Sequence, residues 1–221
     1  MSTTTSSPTA ASQRIADHLR AQILGGEIGP GERIRQEEVA ERLGASRLPV
    51  REALRVLAAE GLITVEPNKG ARVPALDMDE VETLYQMRER IEPLALIESM
   101  PLLSDDDLAS IAQIQQRIED HVDVREFLAL DREFHLATYS RCASEQLLGT
   151  VTQLWNATQH YRRAFMLVSG AGRRWIVNAE HGLIIDALQR RDGVDAERYL
   201  SGHIRRTRKE LGAHPEVFAR P

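Results

Sequence analysis

The 221 residues carry 28 Lys and Arg against 33 Asp and Glu, a formal net charge of -5, with 42% hydrophobic and 5% aromatic side chains. That balance fits a globular chain of one or two domains, and a single cysteine, Cys142, excludes an intramolecular disulfide framework. No apolar run approaches membrane-spanning length and no signal-peptide pattern opens the chain, so a cytoplasmic location is expected by default.

Residues 1–11 are rich in Ser and Thr and are expected to form a disordered tail. Ile15, Leu19 and Ile23 then recur at helical spacing, and Gly25-Gly26 ends that helix. After a turn at Ile28-Gly29-Pro30-Gly31, Gln36 to Leu43 predicts a short helix with Val39, Ala40 and Leu43 inward. Gly44-Ala45-Ser46 is a tight turn, and a second helix follows. Ser46 has the chemistry of an N-cap, Pro49 sits in the first turn, and Gly61 closes the helix. Along it, Val50, Ala53, Leu54 and Leu57 form a packing face, while Arg47, Arg51 and Arg55 recur at i, i+4 and i+8 on another. Helix, short turn and helix with a cationic outer stripe is a geometry that fits a DNA major groove.

Leu62 to Val65 and Ala71 to Val73 are short strand candidates joined by Pro67-Asn68-Lys69-Gly70, a hairpin wing with a basic tip. The expected contact set on double-stranded DNA is Arg35, Ser46, Arg47, Leu48, Arg51, Arg55 and Lys69. The acidic total does not oppose this, because phosphate attraction depends on local field. Basic residues crowd the first third, whereas Asp77-Met78-Asp79-Glu80 and Asp105-Asp106-Asp107 lie beyond it. A DNA-binding domain over 12–74, a linker over 75–78 and a helical domain over 79–214 follow.

That second part shows no strand pattern. Helical periods run over 79–100, 104–121, 123–142, 144–168, 173–191 and 194–212, with Ser104 and Ser144 as N-caps and Pro93 expected to bend the first. Six helices with short connections predict an all-α antiparallel bundle, so the fold class is mostly α. Asp131 and His135 are four apart on one helix, His181 lies on a stripe with Asn178, Ile185 and Leu188, and His203 shares a face with Leu200 and Thr207. Taken singly each histidine is an ordinary core residue; together with the carboxylate they form a set suited to zinc or another divalent transition metal.

Ser46-Arg47-Leu48-Pro49-Val50-Arg51-Glu52-Ala53-Leu54, then Glu60-Gly61-Leu62-Ile63 and Pro67-Asn68-Lys69-Gly70-Ala71-Arg72-Val73, resembles the winged-helix domain of GntR-family transcription regulators. Arg88 with Glu92, Asp131-Arg132-Glu133-Phe134-His135, Glu180-His181 and Asp192 followed by His203 resemble the FCD effector domain of that family, in its shorter VanR-type branch. The resemblance implies a metal at Asp131, His135, His181 and His203, and a small carboxylate effector completing its shell. Two positions depart. Leu48 stands where the family usually has Thr, which removes a hydroxyl from the DNA face, and Glu145 replaces a common Asn.

A divalent ion with one carboxylate and three neutral imidazoles keeps a net charge of about +1 and attracts an anion. Arg88 can add a bidentate clamp, or can form only a surface pair with Glu92. Asn178 either contacts effector, orients His181 or satisfies a buried polar position. The leading reading is an effector-responsive repressor acting as a homodimer on a palindrome, with zinc first and nickel, manganese or iron as alternatives. A metal-dependent hydrolase and a DNA-binding regulator with a purely structural metal are the competing readings.

Overall fold

The computed structural model describes residues 9–66, 70–120, 123–169, 172 and 174–218. The chain divides into two compact units: residues up to Leu76 together with Trp155–His160, and Asp77–Leu154 together with Tyr161–Pro221.

The first unit opens with α1 (Ala10–Gly25), capped where Thr9 Oγ1 accepts from the Ser12 N–H at 3.2 Å. Helices α2 (Gln36–Arg42) and α3 (Arg47–Ala59) follow, separated by a turn in which Gly44 takes a positive φ of 60°. Gly61, at φ 74°, ends α3 in the left-handed conformation, so that the Leu62 N–H reaches back to the Leu57 carbonyl at 3.0 Å. Ser46 occupies the N-cap position of α3, but its side chain makes no capping hydrogen bond. The helix start therefore owes nothing to the serine hydroxyl, contrary to the sequence expectation.

Strands β2 (Thr64–Glu66) and β3 (Gly70–Arg72) pair antiparallel with Val65 opposite Ala71. A third strand, β1 (Arg33–Ile34), pairs with the other edge of β3 and gives the order β1-β3-β2. Two residues carry too little periodicity to be read as a strand, and it is the burial of Ile34 that fixes it. Ile15, Leu19 and Ile23 of α1 join Val39, Val50, Leu54, Leu57, Leu62, Ile63, Ala71 and Val73 in one core. Burying the inner face of α3 in this way forces its arginine stripe outward.

The second unit is helical. Its elements are α4 (Met78–Ser99), α5 (Asp105–Asp120), α6 (Val124–Thr138), α7 (Glu145–Ser169), α8 (Arg174–Gln189) and α9 (Gly193–Gly212). Helix α4 starts in a capping box between Asp77 and Glu80 and continues through Pro93. Ser104 and Asp107 cap α5 reciprocally, and Ser144 Oγ accepts from the Leu147 N–H at the start of α7. Arg208 of α9 holds Glu82 and Glu89 of α4, and these two helices pack along their length. The inward stripe of α4 carries Val81, Tyr85, Arg88, Glu92 and Ser99, so polar groups enter the core on the same periodicity as apolar ones.

Candidate metal centre and nucleic-acid interface

Asp131 and His135 come from α6, His181 from α8 and His203 from α9, and one ligand atom from each lies within 4.8 Å of the others. All four are buried, at 0%, 1%, 0% and 2% exposure. The periodicity of each helix makes this possible, because all four sit on the faces that bury Phe134, Ile184 and Leu200.

The outer ring nitrogens decide what the inner ones can do. His203 Nδ1 is 2.7 Å from Glu180 Oε2, a carboxylate that only accepts, so the proton sits on Nδ1. His181 Nδ1 is 2.7 Å from Gln115 Oε1, and the Gln115 amide is held in that sense by donating to Glu119 at 2.9 Å. His135 Nδ1 is 3.3 Å from Tyr139 Oη, whose own proton goes to Glu92 Oε2 at 2.7 Å. Every Nδ1 thus donates, and every Nε2 presents a bare lone pair to the interior. His135 Nε2 and His203 Nε2 are 3.3 Å apart. His181 Nε2, 3.7 Å from Asp131 Oδ1, is buried with no hydrogen-bond partner, as is that oxygen.

Burial and mutual repulsion keep the rings neutral. His135 and His181 are held well below the ordinary histidine value, chiefly by desolvation and then by the neighbouring His203, and burial pushes His203 down to about 4. Burial, reinforced by the charge of Glu92, pushes the Tyr139 phenol well above its usual range and keeps it a donor. Neutral imidazoles with inward lone pairs and a carboxylate are the donor set of a divalent metal, and two nitrogens about 2.05 Å from a tetrahedral ion stand about 3.3 Å apart. The residues present fit such an ion, with Gln115, Glu180 and the Tyr139–Glu92 pair as orienting partners.

Arg88 and Glu92 do pair, yet at 2% and 0% exposure the pair is buried, which corrects the alternative of a surface pair worth little. Arg88 also lies 4.9 Å from the Tyr85 ring centre. Asn178 is half-buried one turn before His181, and its Oδ1 is buried without a hydrogen-bond partner. Several polar residues escaped the sequence reading. Arg162 of α7 is ion-paired with Asp131 Oδ2, and Gln115 of α5, Glu180, Tyr139 and Glu92 hold the histidines. The signal was available for some of them. Gln115 interrupts the stripe Leu108, Ile111, Ile118, and Arg162 falls on the stripe Val151, Trp155, Thr158, Phe165. A lone polar residue on an apolar stripe is a site candidate.

In the first unit, Arg47, Arg51 and Arg55 are all exposed along α3, beside Ser46 and the 53% exposed Leu48. Arg47 lies 3.6 Å from Glu37, and Arg35 pairs with Glu38 at 2.8 Å, both at the surface. Arg51 and Arg55 have no ion-pair partner among the described residues. Gln36 Nε2 donates to the Arg47 carbonyl at 2.8 Å and pins α2 to the start of α3. Lys69 lies outside the described residues.

Residues 11–73 match the bacterial regulatory proteins of the gntR family, and residues 83–206 match the FCD domain. The chain belongs to the GntR family of transcription regulators, with an FCD domain. It is 28% identical over 198 residues to the Nta operon transcriptional regulator of Aminobacter aminovorans, covering 86% of this chain and 92% of that protein. It is 30% identical over 195 residues to the transcriptional repressor RspR of Escherichia coli (strain K12), covering 87% and 85%. The solved structure of E. coli McbR/YncC shares its fold, with a TM-score of 0.79 at 24% identity over 92% of this chain and 97% of that one. These relatives are regulators, not enzymes, which removes the hydrolase reading. Glu180 agrees: it contacts the outer nitrogen of His203 and is spent on orienting a ring.

Proposed function

We propose that this GntR/FCD regulator is a repressor whose helical domain holds one divalent metal and responds to a small carboxylate effector. The DNA-binding domain spans 12–74, the linker 75–78 and the effector domain 79–214, and the protein works in the cytoplasm as a homodimer on a palindrome. Arg35, Ser46, Arg47, Leu48, Arg51, Arg55 and Lys69 form the DNA face. The observation that carries the metal is the meeting of three inward Nε2 atoms and the Asp131 carboxylate in a buried cluster. Asp131, His135, His181 and His203 are the ligands, and zinc suits their chemistry best. The ion supplies a net positive centre for an anion, while Arg88 and Asn178 bind or orient that anion.

Effector action requires that the ligand bind the DNA-competent and DNA-released states with different affinity, typically by about 1–3 kcal/mol. Complete burial of all four ligands favours one second reading, a metal that only ties three helices together. Elemental analysis of purified protein, with operator affinity measured before and after chelation and across a panel of small organic acids, separates these. The proposal expects one ion per chain and an acid that changes DNA affinity only in the metal-loaded protein. A chelator that lowers the melting temperature, with no acid altering DNA affinity, supports the structural metal. Protein that neither retains nor takes up metal overturns both.

A further inference from the structure

Leu48, in the first turn of α3, is a large apolar side chain left 53% exposed. At about 100° per residue it lies about 170° round the helix from the centre of the face formed by Val50, Ala53, Leu54 and Leu57. Arg55 lies about 150° from that centre and Arg51 about 110°, so no arginine of the stripe points further from the core. The core takes nothing from Leu48, and its apolar character answers to whatever faces α3 from outside. Ser46 makes no capping bond, and Pro49, at the third helical position, removes one of the two N–H groups that Ser46 could have capped. An uncapped N-terminus favours a phosphate, which would set the first turn of α3 against the duplex, where recognition helices meet base edges.

We propose that Leu48 is a specificity residue that reads the C5-methyl group of one thymine per half-site in the major groove. This rests on the reading of α3 as the DNA face, and gives that face one of its bases. Leucine has no side-chain donor or acceptor, and the thymine methyl is the one apolar group that the base pairs present in that groove. Against a cytosine amino group or a guanine O6, Leu48 would leave a buried polar atom unpaired. Leu48 and Arg51 are three residues apart, about 4.5 Å along α3, so the thymine lies within about two base pairs of the base that Arg51 reads. A cytosine methylated at C5 carries the same methyl at the same ring position. Methylation of a cytosine at that place therefore makes it resemble thymine to Leu48, and operator affinity responds to it.

The test starts from sites that the full-length protein selects out of a random duplex library. On the selected duplex, each thymine is replaced in turn by deoxyuridine, which lacks only the methyl, and by cytosine with and without a C5-methyl. At one position per half-site, deoxyuridine is expected to bind about fourfold more weakly than thymine, the effect of one buried methyl-sized group. At the same position, 5-methylcytosine is expected to bind about fourfold more tightly than cytosine. Leu48→Gln, a good helix former, is expected to erase both differences there while affinity for random duplex changes less than about twofold. Deoxyuridine and thymine binding alike at every position, or both differences persisting in Leu48→Gln, overturns Leu48 as the reader. Specific and random binding lost together in Leu48→Gln, with the fold intact by circular dichroism, also overturns it, because Leu48 would then serve docking as a whole. A library from which the wild-type protein enriches no sequence overturns base reading by α3 itself.

Discussion

His135 Nε2 and His203 Nε2 face each other at 3.3 Å although neither carries a proton to share. In a metal-free protein this is a repulsive arrangement of two buried lone pairs, and Tyr139 and Glu180 hold the protons on the far side of both rings. A cation between them turns that cost into coordination. His181→Ala removes a third donor and is expected to lower zinc affinity by more than the about 10–100-fold typical of losing an orienting partner. The DNA-binding domain should keep its fold, read by retained operator binding, while acid-dependent release disappears. Full metal content in this variant would return His181 to an ordinary core histidine.

The same burial makes acid sensitivity a property of the metal-free protein. His135, His181 and His203 bind protons less readily folded than unfolded, where their value is about 6.5. Below that value the unfolded chain takes up more protons, so stability falls as pH falls. The stability is fully present above about 6.5 and drains between there and about 4 for His203, with the other two continuing to drain at acid pH. Each histidine charged only in the unfolded state contributes about 1.4 kcal/mol per pH unit. Chelated protein melted at pH 7.5, 6.5 and 5.5 should lose melting temperature mainly over the last interval. Loaded protein should also release metal there, because protons and metal compete for the same lone pairs. A flat profile between 6.5 and 5.5 would mean that water reaches the rings.

Much of this was legible in the sequence for reasons that can be traced residue by residue. Arg47, Arg51 and Arg55 show their exposure because Val50, Leu54 and Leu57 claim the opposite face. Asp131 and His135 show their alignment by a four-residue step, and His181 and His203 by the apolar residues beside them. Less was legible where partners come from other helices. Sequence spacing places Arg88 next to Glu92, but only packing decides that the pair is buried and linked through Tyr139 to His135. Strand β1 was invisible because Arg33 and Ile34 become a strand only by pairing with Arg72 and Ala71.

Arg51 stands in the middle of the exposed stripe, free of ion pairs among the described residues, and is expected to read a base edge, most simply guanine in bidentate fashion. Arg51→Ala should cost about 1–3 kcal/mol on the specific site and relax discrimination at one position. Arg55→Ala should weaken specific and random DNA about equally and reduce the salt slope by about one. Equal losses for Arg51→Ala on both kinds of DNA would reassign it to a phosphate.

One helix-turn-helix covers only a few base pairs, so specificity calls for two copies on a two-fold site. Light scattering on saturated operator DNA should give two chains per duplex, with half-sites spaced to mirror the symmetry of the protein. One chain per site would remove the palindrome.

Gln115 offers the sharpest separation between a metal-binding and a merely packed cluster. It reaches His181 from α5, a helix that supplies no ligand, and its amide is oriented by Glu119. Gln115→Leu keeps the volume and the apolar surroundings of Ile111 and Ile118 but removes one partner of a buried hydrogen bond, which costs about 1–3 kcal/mol with or without metal. It leaves the His181 Nδ1–H without an acceptor, so the ring gains by flipping or exchanging its proton to Nε2, where it blocks the metal. Zinc affinity should fall about 10–100-fold. The melting temperature of zinc-loaded protein should drop by more than that of chelated protein. Gln115→Glu restores an acceptor and should recover most of the affinity. An equal loss of stability in chelated and zinc-loaded protein, with zinc affinity intact, would make Gln115 a packing residue and sever the orienting link between α5 and the metal.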